Sequence, residues 1–557
     1  MSKYQVEYAL QAPMGGVKLT GGRFGRAFEN NIAFLKKFDL DRILYWFRHH
    51  AGKPAPKAPY AASDGHFENN LHGQTAGEFM MGAGTTLLWT EDDQLRQMVR
   101  DLLAALAQYQ EPDGFLLPID RETFKTKEYP NYTRAWLTFG LLDAGYAGED
   151  EGFRLARGMG NHFNHSEVLP YVKDLNLGFQ GILANTRLYD APVGVKEDVD
   201  VAVRHYQEDW WLDQVIAEDH RAIYMHPGNH PHSTLLTTLE GYCDLYRATG
   251  NEKYLSAVKH ALGMYESKWQ HVGGGINMCE MDTYYPGCNW LSPKHKYNEL
   301  CSTNFWVLLN QRMHRLEPDN THYVDEMEES LYNVLLAAQV GDVGYHYLNY
   351  LQRTKDWRYM DPCTCCASLG TRLVGLLPQF LFTYADDLVN VDIYAPSEAN
   401  LPNGVSLRVE TGLPDDGHVK VTVTAAAQPF TLRLRIPRWA AKDGRSYYEA
   451  HEQVKAGDEF ILDFPMTFRM TKYTGGEELP GKERWAMSCG PLLYGVLGAP
   501  NPLTVRFDPE HPEDWFAPLP GDKRTMALKG DDCHTYMAYA DIHDEPFDVY
   551  PIVEKPE

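Results

Sequence analysis

Two different spacings of hydrophobic residues divide the chain near residue 385. Before that point, apolar residues recur at the three- and four-residue intervals of amphipathic helices. After it, apolar and polar residues alternate, as in half-buried strands. The pattern therefore predicts a helical region followed by a β region. The clearest helical stripe consists of Leu95, Met98, Val99, Leu102, Leu103 and Leu106.

The helices of the first region are predicted to come in hairpins. Residues 240–247 and 254–265 both have a helical pattern, and the sequence ATGN at 248–251 joins them with a helix stop and an N-cap residue. Hairpins of this kind form an (α/α) barrel when the array closes on itself. The repeats are too degenerate for the sequence to settle closure.

Four alternating runs predict an antiparallel β-sandwich in the second region, with Pro-Asp-Asp-Gly and Lys-Asp-Gly turns between strands. The tail after Leu503 is rich in Pro, Asp and Gly, so we expect mixed loops and short strands there. The apolar members of the runs are Val405, Leu407 and Val409; Val419, Val421 and Val423; Phe430, Leu432, Leu434 and Ile436; and Phe460, Leu462 and Phe464.

The acidic composition narrows the classes of function. The net charge of −24 disfavours nucleic acid, anionic membranes and the polyanionic substrates of lyases. The sequence has no signal-peptide pattern and no run of about 18 apolar residues, so we expect a cytoplasmic protein that acts on a small neutral substrate. A face of the sandwich could support a homodimer, although no residue demonstrates one.

Cysteines are concentrated in one part of the chain. An odd total of nine argues against a disulfide framework, and six of the nine lie between positions 279 and 366, which is typical of a metal or catalytic site. We expect Cys243, Cys489 and Cys533 to be small buried hydrophobic residues instead. The six clustered cysteines are Cys279, Cys288, Cys301, Cys363, Cys365 and Cys366.

Glu299 and Cys301, spaced E-x-C, and the adjacent pair Cys365 and Cys366 are candidate ligands of one zinc ion. Thiolates and a carboxylate can complete a tetrahedral set. Adjacent thiols can reach one ion where the backbone turns sharply, and a helix predicted from Ala367 would supply that turn. The alternative is that these cysteines are scattered buried residues.

Two nearby residues extend the candidate site. Cys363 makes the pair a C-x-C-C motif, which offers three thiols for two places. Glu280 follows a run of three glycines at 273–275, where the backbone can approach another group closely. A carboxyl beside a metal–thiolate site could act as a general acid, whereas a solvated loop position is the alternative for Glu280.

These motifs occur in an order that resembles glycoside hydrolase family 127, the β-L-arabinofuranosidases, and their relatives. The likeness spans roughly residues 70 to 500, and E-x-C followed by Cys-Cys is its most specific part. Matching segments include GQTAGEFMMGAGTTLLWTEDDQL from Gly73, LEGYCDLYRATGNEKYL from Leu239, HVGGGINMCE ending at Glu280, KYNELC ending at Cys301, CTCCASLGTRL from Cys363, FTLRLRIPRWA from Phe430 and CGPLLYGV from Cys489.

The resemblance implies an (α/α)6 barrel over residues 1–385 and an antiparallel, jelly-roll-like β-sandwich over residues 386–557. It also implies a zinc ion held by Glu299, Cys301, Cys365 and Cys366. Cys365 would act as the nucleophile and Glu280 as the acid/base in retaining, exo-acting hydrolysis of a β-L-arabinofuranoside or a related sugar.

Substrate contacts are expected from histidines and aromatic residues, with which family members hold the furanose. We favour His232, just before a predicted helix, and Tyr347 in GYHYLNYL; a structural role is the alternative for each. Around His232 the sequence departs from the family pattern, because Thr237 stands where a histidine is typical. The identity of the sugar is therefore open.

Two other functions remain open. Another (α/α)-barrel carbohydrate-active enzyme, a lyase or an epimerase, would act on a proton next to a carboxylate or carbonyl. A carbohydrate-binding protein with a structural zinc is the other alternative, because four protein ligands normally indicate a closed structural site.

Overall fold

A computed structural model of the chain describes residues 3–61, 71–125, 129–167, 169, 180–224, 232–276, 298–355, 362–475, 479–500, 502–520 and 522–556. It is a multidomain α and β structure with a helical region followed by a β-rich region. The helices are α1 (Gly22–Leu35), α2 (Leu40–Ile43), α3 (Tyr45–His50), α4 (Gln74–Leu87), α5 (Asp93–Ala107), α6 (Tyr129–Tyr146), α7 (Asp150–Asn164), α8 (Gln180–Asp190), α9 (Lys196–Val201), α10 (Asp209–Ile216), α11 (Arg221–Tyr224), α12 (His232–Thr249), α13 (Glu252–Lys268), α14 (Leu300–Leu316), α15 (His322–Ser330), α16 (Leu336–Ala338) and α17 (Cys365–Gly375).

Six of these helices pack side by side in a closed ring. Helix α4 contacts α6, the contacts continue through α8, α12 and α14 to α17, and α17 returns to α4. Every residue of α4 is buried, whereas α5, which packs on α4, buries only one stripe. That stripe is the predicted one, with Met98 half-buried at its margin. The ring is therefore an inner layer covered by amphipathic helices.

Glycines bring neighbouring ring helices into direct contact. A Cβ atom at Gly77 of α4 would lie 2.4 Å from the carbonyl oxygen of Trp136 in α6, and one at Gly82 would lie 2.3 Å from Oγ1 of Thr371 in α17. Side chains do not fit at such distances, so only glycine allows this approach. Helix α4 is thus held tightly on both of its flanks.

We expect Gly77→Ala to destabilise the fold by about 1–3 kcal/mol, because the added methyl group must displace the main chain of α6. Gly263→Ala in α13 is the matched control, since a Cβ atom there would meet nothing within 4 Å. That replacement should stabilise the protein by about 0.5–1 kcal/mol. Thermal unfolding followed by circular dichroism measures both effects, and equal melting temperatures of the two variants would contradict the close packing.

The junction between α12 and α13 confirms the predicted hairpin. Helix α12 ends at Thr249, and Gly250 follows with a φ of 68° in the left-handed region. Asn251 then caps α13, accepting a hydrogen bond from the backbone N–H of Lys253 at 3.2 Å. Within the described residues, no helix is both long and apolar enough to cross a membrane.

Most strands follow the helical region and form three larger sheets, with the orders β1-β9-β10-β11-β14, β13-β12-β8-β7 and β18-β23-β16-β17-β21-β20-β19. The strands are β1 (Val17–Leu19), β2 (Asn298–Glu299), β3 (Gln339–Val340), β4 (Gly344–Tyr345), β5 (Leu348–Asn349), β6 (Gln352–Arg353), β7 (Phe382–Ala385), β8 (Leu388–Val391), β9 (Ser397–Asn400), β10 (Val405–Thr411), β11 (His418–Ala426), β12 (Phe430–Ile436), β13 (Tyr447–Val454), β14 (Glu459–Asp463), β15 (Phe468–Lys472), β16 (Glu483–Cys489), β17 (Leu492–Leu497), β18 (Thr504–Arg506), β19 (Phe516–Leu519), β20 (Asp522–Leu528), β21 (Asp531–Ala538), β22 (Phe547–Asp548) and β23 (Ile552–Glu554).

The four predicted runs correspond to β10, β11, β12 and β14. The tail after Leu503 contains loops and short strands as expected, and β20 and β21 pair there as an antiparallel hairpin within the third sheet. The helical region also contributes a strand to the β region, since Val17–Leu19 pairs with Ser397–Ala399 of β9.

A buried arginine joins the helical ring to the second sheet. Arg435 of β12 is fully buried, and its Nη1 lies 2.6 Å from Asp325 Oδ1 while its Nη2 lies 2.5 Å from Glu328 Oε1. Both carboxylates belong to α15, which packs on ring helix α14. The guanidinium also donates to the carbonyl of Asp392. One part of the junction between the two regions is therefore a buried cluster of paired charges.

Candidate metal centre

The four residues predicted as metal ligands meet where two neighbouring ring helices begin. Glu299 ends strand β2 and immediately precedes α14, whose first turn carries Cys301. Cys365 and Cys366 are the first two residues of α17. Because α14 and α17 are adjacent in the ring, two distant segments of the sequence converge at one point.

One ligand atom from each of Glu299, Cys301, Cys365 and Cys366 lies within 4.8 Å of all the others. The sulfur atoms of Cys301 and Cys366 are 3.1 Å apart, and Cys366 Sγ lies 3.9 Å from Glu299 Oε1. Sulfur atoms that share a tetrahedral zinc ion would lie roughly 3.8 Å apart, given zinc–sulfur bonds of about 2.3 Å. These residues therefore form a group that could hold a metal ion.

A capped helix start explains how both adjacent thiols reach the same point. Thr364 is extended, with ψ of 150°, and its side chain caps α17 by accepting from the backbone N–H of Ala367 at 3.0 Å. The helix begins two residues earlier than expected, so the backbone turns from extended to helical between Thr364 and Cys365 and not between the two cysteines. Cys363, the third candidate thiol, is buried and is not part of the group.

The carboxylate of Glu299 is buried and oriented by its own helix. Ser302 Oγ donates a hydrogen bond to Glu299 Oε2 at 2.9 Å. The other carboxylate oxygen, Oε1, lies 3.9 Å from Cys366 Sγ. A buried carboxylate is costly unless it is paired with a charge or with hydrogen-bond donors. The hydrogen bond from Ser302 is one such interaction, and a cation held between Glu299 and the three thiols would add a charge partner.

Cys365 differs from the other two thiols of the group. Cys301 and Cys366 are buried, whereas Cys365 is partly exposed, and the hydroxyl of Tyr347 lies 3.4 Å from its sulfur. Hydrogen bonds from Cys301, Cys366 and Tyr347 hold the pKa of the Cys365 thiol well below its usual range. Burial raises the pKa of the other two thiols. Cys365 is therefore the thiol of the group best placed to meet a substrate as a thiolate.

The remaining predicted site residues have different outcomes. The structure places Tyr347 beside Cys365, while its role toward a substrate stays a prediction. His232 is the first residue of ring helix α12, but its side chain lies outside the described part of the structure. Glu280 also lies outside the described residues, so its acid/base role stays a prediction.

One of the three cysteines assigned to the core is placed differently. Cys243 and Cys489 are buried as expected, whereas Cys533 is exposed. Strand β21 explains the error, because its alternate residues Tyr536 and Ala538 face the core and Cys533 has the opposite parity.

Three polar side chains near the thiols were not predicted from the sequence. Gln74 and Glu78 lie one turn apart in α4, and Gln74 Nε2 donates to Glu78 Oε1 at 2.6 Å. The same nitrogen lies 3.5 Å from the hydroxyl of Tyr132 in α6. Burial and the negative charges of Cys365, Cys301 and Glu78 raise the pKa of Tyr132 well above its usual value. A glutamine and a glutamate at i and i+4 in an otherwise apolar, glycine-rich helix were the available signal.

Comparison with protein families places both regions of the chain in one family. Residues 16–378 match the model described as β-L-arabinofuranosidase, GH127 catalytic domain, and residues 388–466 match the GH127 middle domain. A similar curated protein is the non-reducing end β-L-arabinofuranosidase of Bifidobacterium longum subsp. longum, which is 24% identical over 296 residues. The match covers 47% of this chain and 45% of the relative, so it spans about half of that relative's length.

Solved structures share the fold over the whole chain. A GH127 β-arabinofuranosidase has a TM-score of 0.77 at 20% identity and covers 99% of both chains. A GH127 β-L-arabinofuranosidase from Geobacillus stearothermophilus T6 has a TM-score of 0.72 at 16% identity, covering 97% of this chain and 100% of its own. These two likenesses concern the fold alone. Since the catalytic-domain model matches well over half of the residues, this chain belongs to the GH127 β-L-arabinofuranosidase family.

Proposed function

We propose that the protein is a zinc-dependent retaining glycoside hydrolase that removes a terminal β-L-arabinofuranosyl unit, or a related sugar, from a small saccharide or glycoside. Membership of the GH127 family supports the class of reaction. The observation that carries the proposal is the convergence of Glu299, Cys301, Cys365 and Cys366 within 4.8 Å, with Cys365 the partly exposed thiol.

The donor set fits zinc, because three thiol sulfurs and one carboxylate oxygen are ligands that this ion prefers. Bound there, zinc would keep the thiols ionised at neutral pH. The hydroxyl of Tyr347, 3.4 Å from Cys365 Sγ, would donate to that sulfur and orient it. Ser302 would hold the Glu299 carboxylate in place through its hydrogen bond.

The reaction follows from these groups and from Glu280. Cys365 Sγ attacks the anomeric carbon, and the bond from that carbon to the departing oxygen breaks as Glu280 gives this oxygen a proton. Glu280 then takes a proton from a water molecule, whose oxygen attacks the same carbon. The carbon–sulfur bond breaks and Cys365 returns to its thiolate, so the sugar leaves with its configuration retained.

The fold suits this chemistry. We infer that the closed ring of α4, α6, α8, α12, α14 and α17 is the inner layer of an (α/α)6 barrel within a domain of residues 1–385. Residues 386–557 would then form the β-sandwich domain. The candidate site lies where ring helices α14 and α17 begin, where a sugar can enter from one end of the barrel.

Metal analysis tests the first half of the proposal. We expect purified protein to contain about one zinc ion per chain, and Cys366→Ser to lose it, because Cys366 is buried in the ligand group. Cys533→Ser is the matched control, since this exposed cysteine lies outside the group, and it should keep wild-type zinc content. Zinc retained in full by folded Cys366→Ser would contradict the assignment.

Hydrolysis tests the second half. We expect wild-type protein to release p-nitrophenol from p-nitrophenyl β-L-arabinofuranoside, within a panel of p-nitrophenyl furanosides and pyranosides. Failure to cleave any member, by folded protein that contains zinc, would favour a carbohydrate-binding protein with a structural metal.

A further inference from the structure

A set of polar side chains lines the ring beside the thiols. We call Gln74, Glu78 and Tyr132 the polar wall. Gln74 and Glu78 are both buried, and residues one turn apart share one face of a helix. The Nε2 atom of Gln74 connects the other two residues, because it lies 2.6 Å from Glu78 Oε1 and 3.5 Å from the Tyr132 hydroxyl.

Contacts along the helices place Glu78 level with the thiols. Gly82 of α4 lies against Thr371 of α17, and Gly375 lies against Thr85, so the two helices run parallel. Glu78 lies four residues before Gly82 in α4, and Ala367, the residue after Cys366, lies four residues before Thr371 in α17. Glu78 and Ala367 are therefore at the same height. One helical turn is about 5.4 Å, so Glu78 and the thiols occupy the same layer of the ring.

Helix α6 places Tyr132 beside Gln74. Gly77 of α4 lies against Trp136 of α6 and Gly84 against Asp143, so the two helices run parallel. Tyr132 is one turn nearer the start of α6 than Trp136, and its hydroxyl lies 3.5 Å from Gln74 Nε2. Burial, followed by the charges of Cys365, Cys301 and Glu78, raises the pKa of the Tyr132 hydroxyl well above its usual value. The phenol therefore stays protonated and can donate a hydrogen bond.

Gln74 of the polar wall and the neighbouring Asn131 carry buried polar atoms that have no hydrogen-bond partner among the described residues. Gln74 Oε1 is buried and has no hydrogen-bond partner within the described part of the chain. The same is true of both amide atoms of Asn131, next to Tyr132. Buried polar atoms without partners cost free energy, so a ligand that supplies hydroxyl groups would restore the missing hydrogen bonds.

We propose that Gln74, Glu78 and Tyr132 bind the hydroxyl groups of the sugar whose anomeric carbon meets Cys365. This inference rests on the proposed function and names specificity-determining residues for it. A carboxylate accepts hydrogen bonds from two hydroxyls, an amide oxygen accepts one or two more, and a phenol donates one. A site built in this way rejects analogues that lack a bound hydroxyl, because its own polar groups are then left unpaired.

Kinetics with deoxy sugars test the polar wall. The substrates are p-nitrophenyl β-L-arabinofuranoside and its 2-, 3- and 5-deoxy analogues, each compared between wild type and Glu78→Gln. We expect Glu78→Gln to lower kcat/KM for the parent by about 10- to 100-fold, as befits a lost hydrogen bond to a charged group. For the analogue that lacks the bound hydroxyl, wild type and Glu78→Gln should have nearly the same kcat/KM.

A purely structural role would give a different result. If Glu78→Gln lowers kcat/KM by the same factor for the parent and all three analogues, the hydroxyl contact is overturned. Where Glu78→Gln does not fold, Tyr132→Phe decides by the same comparison. Tyr146→Phe is its matched control and should leave all rates unchanged, because Tyr146 lies at the opposite end of α6, about 21 Å away along the helix.

The failure of the proposed function can be told apart from the failure of the polar wall. If wild type cleaves no substrate, binding of free L-arabinose and other pentoses is measured by calorimetry for wild type and Glu78→Gln. Binding by wild type that Glu78→Gln loses would support the polar wall without hydrolysis. Equal binding by both proteins, or none by wild type, would overturn it.

Discussion

Cys365→Ala is expected to lower kcat/KM for p-nitrophenyl β-L-arabinofuranoside by about 10⁴-fold or more, because the nucleophile of a covalent mechanism has no substitute. Cys365 is the one partly exposed thiol of the group, and Tyr347 lies within hydrogen-bonding distance of its sulfur. The initial rate of p-nitrophenol release, with zinc content and circular dichroism measured on the same samples, gives the result. Wild-type rates in the folded variant would remove the thiolate mechanism.

The effect of losing the nucleophile must be separated from the effect of losing the metal, because Cys365 is proposed to have both roles. Cys301→Ser is the useful comparison, because Cys301 is in the ligand group but is buried. Both variants should lose metal, but only protein with Cys365 intact should take up sugar covalently. Mass spectrometry of wild type treated with a reactive furanoside should find one added sugar on the peptide that contains Cys365. An adduct on a different residue would reassign the nucleophile.

Arg435→Ala is expected to lower the free energy of unfolding by about 3–5 kcal/mol, because it removes the guanidinium that pairs with two buried carboxylates. Arg435 lies 2.6 Å from Asp325 and 2.5 Å from Glu328 at the junction of the helical ring and the second sheet. Urea unfolding, followed by tryptophan fluorescence and circular dichroism together, measures the loss and shows whether the two regions separate.

Arg433→Ala is the matched control on the same strand. Arg433 pairs with Asp319 at 2.8 Å, but the Asp319 side chain is 88% exposed. Exposed ion pairs contribute about 1 kcal/mol or less, so this variant should unfold near the wild-type midpoint. Equal destabilisation by the two replacements would show that burial of the Arg435 cluster has little effect.

The spacing of apolar residues was enough to predict individual helices and strands. The stripe from Leu95 to Leu106 became α5, and the alternating runs became strands β10, β11, β12 and β14. The ligand group was predictable because E-x-C and Cys-Cys are unusual and because a helix start was evident after Cys366. Family resemblance then assigned roles that spacing alone left open.

Features that depend on distant contacts were not predictable in the same way. Gln74 and Glu78 at i and i+4 of α4 were a local signal, but their position beside the thiols depends on the orientation of α4 within the ring, which the sequence of a helix buried on every side does not give. The pairing of β1 with β9 leaves no mark in the three residues of β1. Short strands were expected after Leu503, but the bounds and the pairing of β20 and β21 were not, because turn-forming residues around them obscured the alternation.

Strand β1 can pair with its neighbour only late in the synthesis of the chain. Val17 pairs with Ala399, so about 380 residues must leave the ribosome before the strand finds its neighbour. At elongation rates of about 5–20 residues per second, that takes roughly 20–80 seconds. Throughout this interval the Val17–Leu19 segment of the nascent chain has no β9 strand with which to pair.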